Sequence, residues 1–436
     1  MRPPAPLRAT AFRSVWLAGL VSDAGDWLLL IALPVVVYDL TGSALGTSVA
    51  FLVELAPGIV LAPLAGWCAD RWDRRRMLVA ISLAQAACLL PLLAVHTRAD
   101  LPLVYAVIVV EAALLAVFDP TKNALLRTLV ARKDLVAANS LVGLEQNLAR
   151  LVGGPIGGVL LAVGGLRLVT GADLLSYLAA AALINGVRVA RRVEPHVPNA
   201  RHRRRSGSYL SIVVRNPRVR PTVLVAFISQ IAQGIFVVLF ILFVASRLHG
   251  GPAEVGLLRG VQAIGAVAGG LALTALSRRW RPASLTAFAA ITFGVIDLVL
   301  WNAPSLSAAT WIYVVLFIAI GAPGIVLATG LISSLQSDSP SHEHGRVFSA
   351  YGLAGNTGQV LGMLAAGLLT ARLGLMTMLN TQALIYLAAG AFAARQITKP
   401  RAMPAKTAST PAIANPHWPD HDRMRREADP VRASGP

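Results

Sequence analysis

Twelve apolar runs, each about as long as a membrane is thick, constrain this chain more than any other feature. They fall at about 13–38, 46–68, 76–96, 101–120, 138–163, 167–189, 220–245, 254–277, 284–302, 308–332, 346–370 and 376–396. About 20 predominantly apolar residues suffice for a helix to cross the hydrocarbon core. In lipid the backbone must satisfy its own N–H and C=O groups, and runs of this length do so as helices. Only 14% of the 436 residues are charged, where a soluble domain carries about 25%. The sequence therefore predicts an all-α integral membrane protein with twelve transmembrane helices in a bilayer.

The formal net charge of +18 resembles that of a nucleic-acid binder, but its distribution excludes that class. The basic residues sit in short clusters between apolar runs. One set of breaks holds Arg2, Arg8 and Arg13, then Arg71 and Arg74 to Arg76, then Lys122, Arg127, Arg132 and Lys133. The same side has the stretch from Arg188 to Arg220, then Arg278, Arg279 and Arg281, then Arg346 and the tail. The opposite breaks have only Arg98, Arg167, Arg247 and Arg372. Lys and Arg concentrate on the cytoplasmic side of membrane proteins, so both termini are expected in the cytoplasm and the chain in the plasma membrane.

The longest break divides the runs into two sets of six. The expected organisation is a cytoplasmic segment at 1–12, a six-helix bundle at 13–189, a basic linker at 190–219, a second bundle at 220–397 and a disordered tail at 398–436. The halves resemble each other at an offset near 210 residues: "GTSVAFLVELAPGIVLAPLAG" from Gly46 matches "GLLRGVQAIGAVAGGLALTAL" from Gly256. "GGPIGGVLL" from Gly153 matches "LGMLAAGLL" from Leu361. Duplicated six-helix units characterise carriers whose halves rock about a central site.

The break after the second run reads "GWCADRWDRRRML". It resembles the signature loop of the major facilitator superfamily, with Gly66, Asp70, Arg71, Arg74 and Arg75 matching and Asp73 standing where most members have glycine. That form, with "WLAGLVSDAGDWLLLIALPVVVYDLTGSA" and "FDPTKNALLRTLV", is similar to the drug-and-siderophore exporter branch, which includes macrolide efflux and enterobactin export proteins. The resemblance implies two pseudo-symmetric six-helix bundles and a gating role for the signature loop, with Asp70 latching the halves on the cytoplasmic side. It further implies export of a hydrophobic or amphiphilic small molecule by alternating access, in exchange for protons, by a monomer. Gly154, Pro155 and Gly158 match the family's antiporter motif; Val159 and Arg150 depart from it. A proton-driven importer, a lysophospholipid flippase and a transporter-like sensor remain alternatives.

Asp23 and Asp26 are the costliest residues in the first run. At 1.5 Å per residue they lie ~15 and ~20 Å beyond Arg13, and no Lys or Arg is near them in sequence. A charge near a helix centre costs roughly 2.5–3.5 kcal/mol on insertion scales. Spacing of three puts both on one face, which the resemblance turns toward the central cavity. Glu111 and Arg150 lie at comparable depth, Glu54 lies nearer the outer surface, and Asp297 lies in a peripheral span. Three uses of these groups stay open. Asp26 or Glu111 carries the coupling proton, with Arg150 pairing to Asp23 or Asp26. Asp23 and Arg150 form a static bridge, with Asp26 bonded to backbone loosened by Gly25. The acids bind a cationic substrate directly. Trp27 is a candidate substrate contact.

The sequence has no Gly-rich phosphate loop, HExxH, GxSxG or paired CxxC. Cys68 and Cys88 match no metal spacing, and His342 with His344 reads as a cytoplasmic loop. No cofactor, metal or nucleic-acid partner is expected, and no catalytic residue.

Overall fold

The computed structural model describes residues 5–187, 216–276, 280–340 and 343–398. The first four spans are the helices Thr10–Thr41, Ala44–Arg71, Arg74–Leu89 and Leu101–Thr128. The third runs on through a 3-10 segment to Ala94. The turn formers end and start these helices as the sequence predicts. Gly42 takes the left-handed conformation at φ 62° and its N–H caps Tyr38 O, a geometry that glycine adopts without penalty. Asp73 caps the third span, its Oδ1 accepting from Arg76 N at 2.8 Å.

The fifth and sixth spans are one continuous assignment, Leu135–Asn185, of 51 residues. At 1.5 Å per residue that is ~76 Å, about twice a membrane. Gly165, at φ 63° and ψ −167°, breaks it into two crossings. The seventh to twelfth spans are Val219–Arg247, Pro252–Leu276, Pro282–Asn302, Thr310–Asp338, His344–Leu373 and Leu375–Thr398. Ten helices among the described residues are long and apolar enough to cross a membrane. The double helix counts once among them, and the eleventh span is less apolar than the rest. The basic linker and the tail lie almost wholly outside the described residues, and the described spans belong to one compact unit, Met1–Ile397.

The spans alternate in direction, so the bundle has a near end, which carries the N-terminus, and a far end. Their cores differ. At the near end the two halves have separate apolar clusters. Phe12, Met77, Phe118, Leu141 and Ile184 join spans of the first half only. Val225, Ala287, Leu331 and Tyr386 join spans of the second half, as do Val219, Leu335 and Val347. Toward the far end one cluster runs through both halves, from Leu28 to Val37 of the first span into Ile235 to Val244 of the seventh and on to Trp301 and Phe317. The halves are thus sealed at the far end and have separate cores at the near end.

The seal depends on small residues. Gly154 and Gly158, one turn apart in the fifth span, face the eighth span so closely that a Cβ on Gly154 would stand 3.1 Å from Gly256 O, and one on Gly158 would overlap Pro252 O. Gly153 and Gly157 do the same toward the first span at Ala24 and Leu28. Without a hydrophobic driving force between helices in lipid, such backbone approach is a main source of association. Across the other side of the bundle Ser48 Oγ donates to Met363 O at 2.9 Å, joining the second and eleventh spans.

Candidate functional site

A cavity of about 830 Å³ opens among the first, second, fourth, fifth and sixth spans. Its wall is mostly apolar, with Leu30, Leu33, Leu55 and Leu115, and it includes Asp23, Asp26, Trp27, Glu54, Glu111, Asp119 and Arg150. The first and fourth spans supply most of it. Glu54 lines the same cavity as Asp26 and Glu111, deeper than its place in the second run predicts.

Asp23 is not paired with Arg150. Its Oδ1 accepts from Lys122 Nζ at 2.8 Å, and the same ammonium lies 3.2 Å from Glu145 Oε1 and 3.6 Å from Asp119 Oδ1. Lys122 is 1% exposed and Glu145 fully buried. The sequence placed Lys122 among the charges that set topology; the fold instead covers the near end of the fourth span with the first and fifth. Gly19 makes the arrangement possible, since any Cβ there would overlap Glu145 Oε1. Burying an ammonium and carboxylates together is tolerable only when they satisfy one another. This group is a locked one.

Asp26 has different company. The Tyr177 hydroxyl makes close hydrogen-bond contact with both Asp26 Oδ1 and Glu111 Oε1, and Gln85 Nε2 donates to Glu111 Oε1 at 2.7 Å. A phenol has one hydrogen to donate, and an ionised carboxylate only accepts. Both contacts are hydrogen bonds only when one of the two carboxyls carries a hydrogen of its own. Among the described residues no Lys or Arg forms an ion pair with either. Behind Asp26, fully buried Asp173 of the sixth span accepts from Ser176 Oγ at 2.9 Å. Gly25 leaves the space for both, because a Cβ would overlap Asp173 Oδ1 and Ser176 Oγ. Gly25 thus admits a neighbouring acid, and Asp26 is bonded to a side chain rather than to loosened backbone.

Arg150 turns away from the aspartates. Its Nε donates to Arg259 O at 3.3 Å, its Nη2 donates to Gln262 Oε1, and its guanidinium lies 5.4 Å from the Trp27 ring centre. The reason is helical phase: Arg150 precedes Gly154 and Gly158 by one and two turns, and that stripe faces the eighth span. The expected Arg150–Asp23 or Arg150–Asp26 pair is therefore not formed in this conformation. Trp27 lines the cavity, with Arg150 over its ring.

Arg75, expected in gating, donates to Ile184 O (3.3 Å from Nε), to Asn185 O and to Asn185 Oδ1 (2.9 Å), so it caps the sixth span. Gly66, Asp70 and Arg71 belong to the second-span helix, with side chains outside the described set; Arg74 starts the third. Asp297 is fully buried in the second half, away from the cavity, where Gln382 Nε2 donates to its Oδ2 at 2.7 Å. His342 lies outside the described residues, and among those described no cluster of His, Cys, Asp and Glu could hold a metal.

The transmembrane secretion effector family model matches residues 1–428. The chain belongs to that family, within the major facilitator superfamily. This transporter is 28% identical over 376 residues to the multidrug efflux pump Tap of Mycolicibacterium fortuitum, covering 82% of the chain and 88% of the relative. It is 24% identical over 369 residues to macrolide efflux protein A of Streptococcus pyogenes, covering 83% and 90%. In fold it is similar to a bacterial homologue of the iron transporter ferroportin in an inward-facing state, at TM-score 0.70 and 16% identity over 89% of the chain and 99% of that structure. A bacterial homologue of the lysosomal transporter Spinster, inward-facing and unoccupied, gives 0.66 at 15% identity over 90% and 96%.

Sequence reasoning brought Asp23, Asp26, Glu111 and Trp27 of the transporter to one cavity. It missed Glu145, Asp173, Tyr177 and Gln85, and gave Lys122 another role. One local signal was available for Lys122: Asp119 and Lys122, in "FDPTK", form an i, i+3 pair that would stand on one helical face.

Proposed function

We propose that the transporter exports a hydrophobic or amphiphilic small molecule across the plasma membrane by alternating access, in exchange for protons. The near end faces the cytoplasm, with both termini there, so the conformation described admits substrate from inside. The observation that carries the exchange is the Tyr177 hydroxyl held between Asp26 and Glu111 in the cavity wall. That trio needs a hydrogen from one carboxyl to complete its bonds, and among the described residues neither acid has an ion-pair partner to hold it ionised. It can release that hydrogen when the cavity opens to the other side. Locked by Lys122, Asp23 keeps the first and fourth spans together and does not take part. The cytoplasmic bias of Lys and Arg supports the orientation, and the efflux-named relatives support the direction.

The test is proton flux in inside-out membrane vesicles, energised to an acidic lumen and challenged with macrolides, dyes, siderophores and lysolipids. Wild type should dissipate the gradient with at least one compound. Asp26→Asn and Glu111→Gln should insert normally and still bind that compound without moving protons. Unaltered flux in both variants would overturn the assignment of the proton to this trio.

A further inference from the structure

The contact between the fifth and eighth spans is a ladder, because the two helices run in opposite directions. From the far end inward its rungs are Gly158 on Pro252, Gly154 on Gly256 and Pro155 on Gly260, all of them carbon and backbone contacts. The innermost rung differs. Arg150 Nε donates to Arg259 O at 3.3 Å and its Nη2 donates to Gln262 Oε1, so a side chain of the first half is hydrogen-bonded to the second. Among the described residues these are the only hydrogen bonds that join the two spans. Gln262 is 7% exposed, whereas Arg150 also lines the cavity. One guanidinium is thus both the last bolt of the far-end seal and part of the cavity wall.

The ionisable groups that share this wall are Asp23 and Asp26 of the first span, Glu54 of the second, and Glu111 and Asp119 of the fourth. Among the described residues Arg150 is the one basic side chain in it. Lys122 engages Asp23 and Asp119. On the eighth span Arg259 turns its guanidinium to Phe236 and Phe240, at 5.2 and 6.0 Å from the ring centres. Asp26 and Glu111 share the Tyr177 hydroxyl, an arrangement that is complete only with a hydrogen on one of them.

We propose that Arg150 is the coupling residue of the exchange: it bolts the far-end seal while the Asp26–Tyr177–Glu111 trio holds its hydrogen, and is drawn off Gln262 once the trio has released it. The inference rests on the proton-exchange reading above. Release to the near side adds a negative charge to the trio and leaves one carboxylate oxygen short of a donor. Arg150 lies 5.4 Å from the ring of Trp27, the residue next to Asp26, and a guanidinium supplies both charge and donors. When it leaves Gln262 the seam keeps carbon and backbone contacts alone, and the far end is free to open. A proton taken from the far side returns Arg150 to Gln262 and closes it again. The order is that of an exporter, with proton release inside preceding opening outward. By linkage, whatever favours proton release also favours the open far end.

The experiment measures far-end opening in the full-length protein in lipid nanodiscs. Spin labels on Arg98→Cys and Leu306→Cys, exposed far-end sites of the two halves, report the distance in a Cys68→Ala, Cys88→Ala background. With Arg150 and Gln262 intact, the long-distance population should rise roughly tenfold between about pH 5.5 and about pH 8.5, the size of one charge-assisted hydrogen bond. Gln262→Ala removes the bolt and keeps the acids, so the long population should already be high at the lower pH. Asp26→Asn combined with Glu111→Gln should leave the far end closed at both values. Arg150→Met should abolish the pH response, and Arg150→Lys should restore part of it, which a merely space-filling arginine would not do. A response retained in Arg150→Met or in the double acid variant would overturn the proposal. So would a far end still closed in Gln262→Ala at the lower pH, or one indifferent to pH with Arg150 and Gln262 intact. Proton flux in vesicles tests the exchange reading separately. Flux together with an intact response in Arg150→Met removes the bolt and leaves antiport standing. A response carried by Arg150 without proton flux removes antiport and leaves the bolt.

Discussion

The two halves of this transporter have the same helical plan and opposite interiors. The first half gathers ionisable groups: Asp23, Lys122 and Glu145 in one cluster, and Asp26, Glu111, Asp173 and Tyr177 in another. The second half buries rings. Phe236 and Phe240 stack at 5.6 Å, Phe243 meets Trp301 edge-on at 4.8 Å, and Phe317 lies 5.2 Å from Phe240. Among the described residues its one fully buried acid, Asp297, is held by Gln382, whose Oε1 accepts from Trp301 Nε1 at 2.9 Å. Duplication therefore preserves where helices lie, while side chains in equivalent places are free to diverge, contact glycines included: Gly157 and Gly158 match Ala365 and Ala366. The cavity's acids belong to one half and the packed rings to the other.

That contrast can be broken most severely at Lys122. Replacing it by Met strands Asp23 and Glu145, and removing one partner of a buried ion group destabilises by about 3–5 kcal/mol. Monodisperse yield and thermal stability in detergent should fall sharply for Lys122→Met. Adding Asp23→Asn and Glu145→Gln should restore much of both. An equally stable single variant would show that the group is not locked.

Next comes the seam. Gly158→Leu places a branched side chain against Pro252 and Ala253, where not even a methyl fits. Accessibility of a cysteine introduced at a far-end position should then rise, because the sealed arrangement is disfavoured, and transport should drop. Labelling unchanged from wild type would refute the close packing there.

A subtler division lies between holding a proton and moving it. Tyr177→Phe keeps the ring and removes the hydroxyl between Asp26 and Glu111. Proton-driven flux should fall about tenfold, the scale of one strong hydrogen bond, with substrate binding retained. Loss of binding in equal measure would recast Tyr177 as a substrate contact. The smallest effect is expected at Asp297: Asn preserves its bond to Gln382, so Asp297→Asn should leave transport unchanged and stability within about 0.5 kcal/mol. A transport defect there would mean that the second half also takes part in coupling.

What the sequence made legible follows from periodicity and punctuation. Apolar runs, the Gly42 and Gly165 breaks and the basic clusters are local facts, and so is the stripe Gly154, Gly158. Cavity membership of Asp26 and Glu111 was readable from depth together with family resemblance. Lys122 was not, because 21 residues after Leu101 it stands where a span ends, and only the neighbouring helices show that it is covered. Tyr177 and Asp173 lie in "GADLLSY", an unexceptional stretch until the sixth span is laid against Gly25. Arg150 pointed to the aspartates by depth and away from them by helical phase, and phase decided.

The break at Gly165 has a mechanical consequence. It reverses the chain without an intervening loop, so the fifth and sixth spans share a joint with no slack. The fifth carries the glycines pressed on the opposite half; the sixth carries Tyr177 and Asp173. Any sliding at that contact is passed through a stiff elbow to the hydroxyl between Asp26 and Glu111, as a crank passes rotation to a piston.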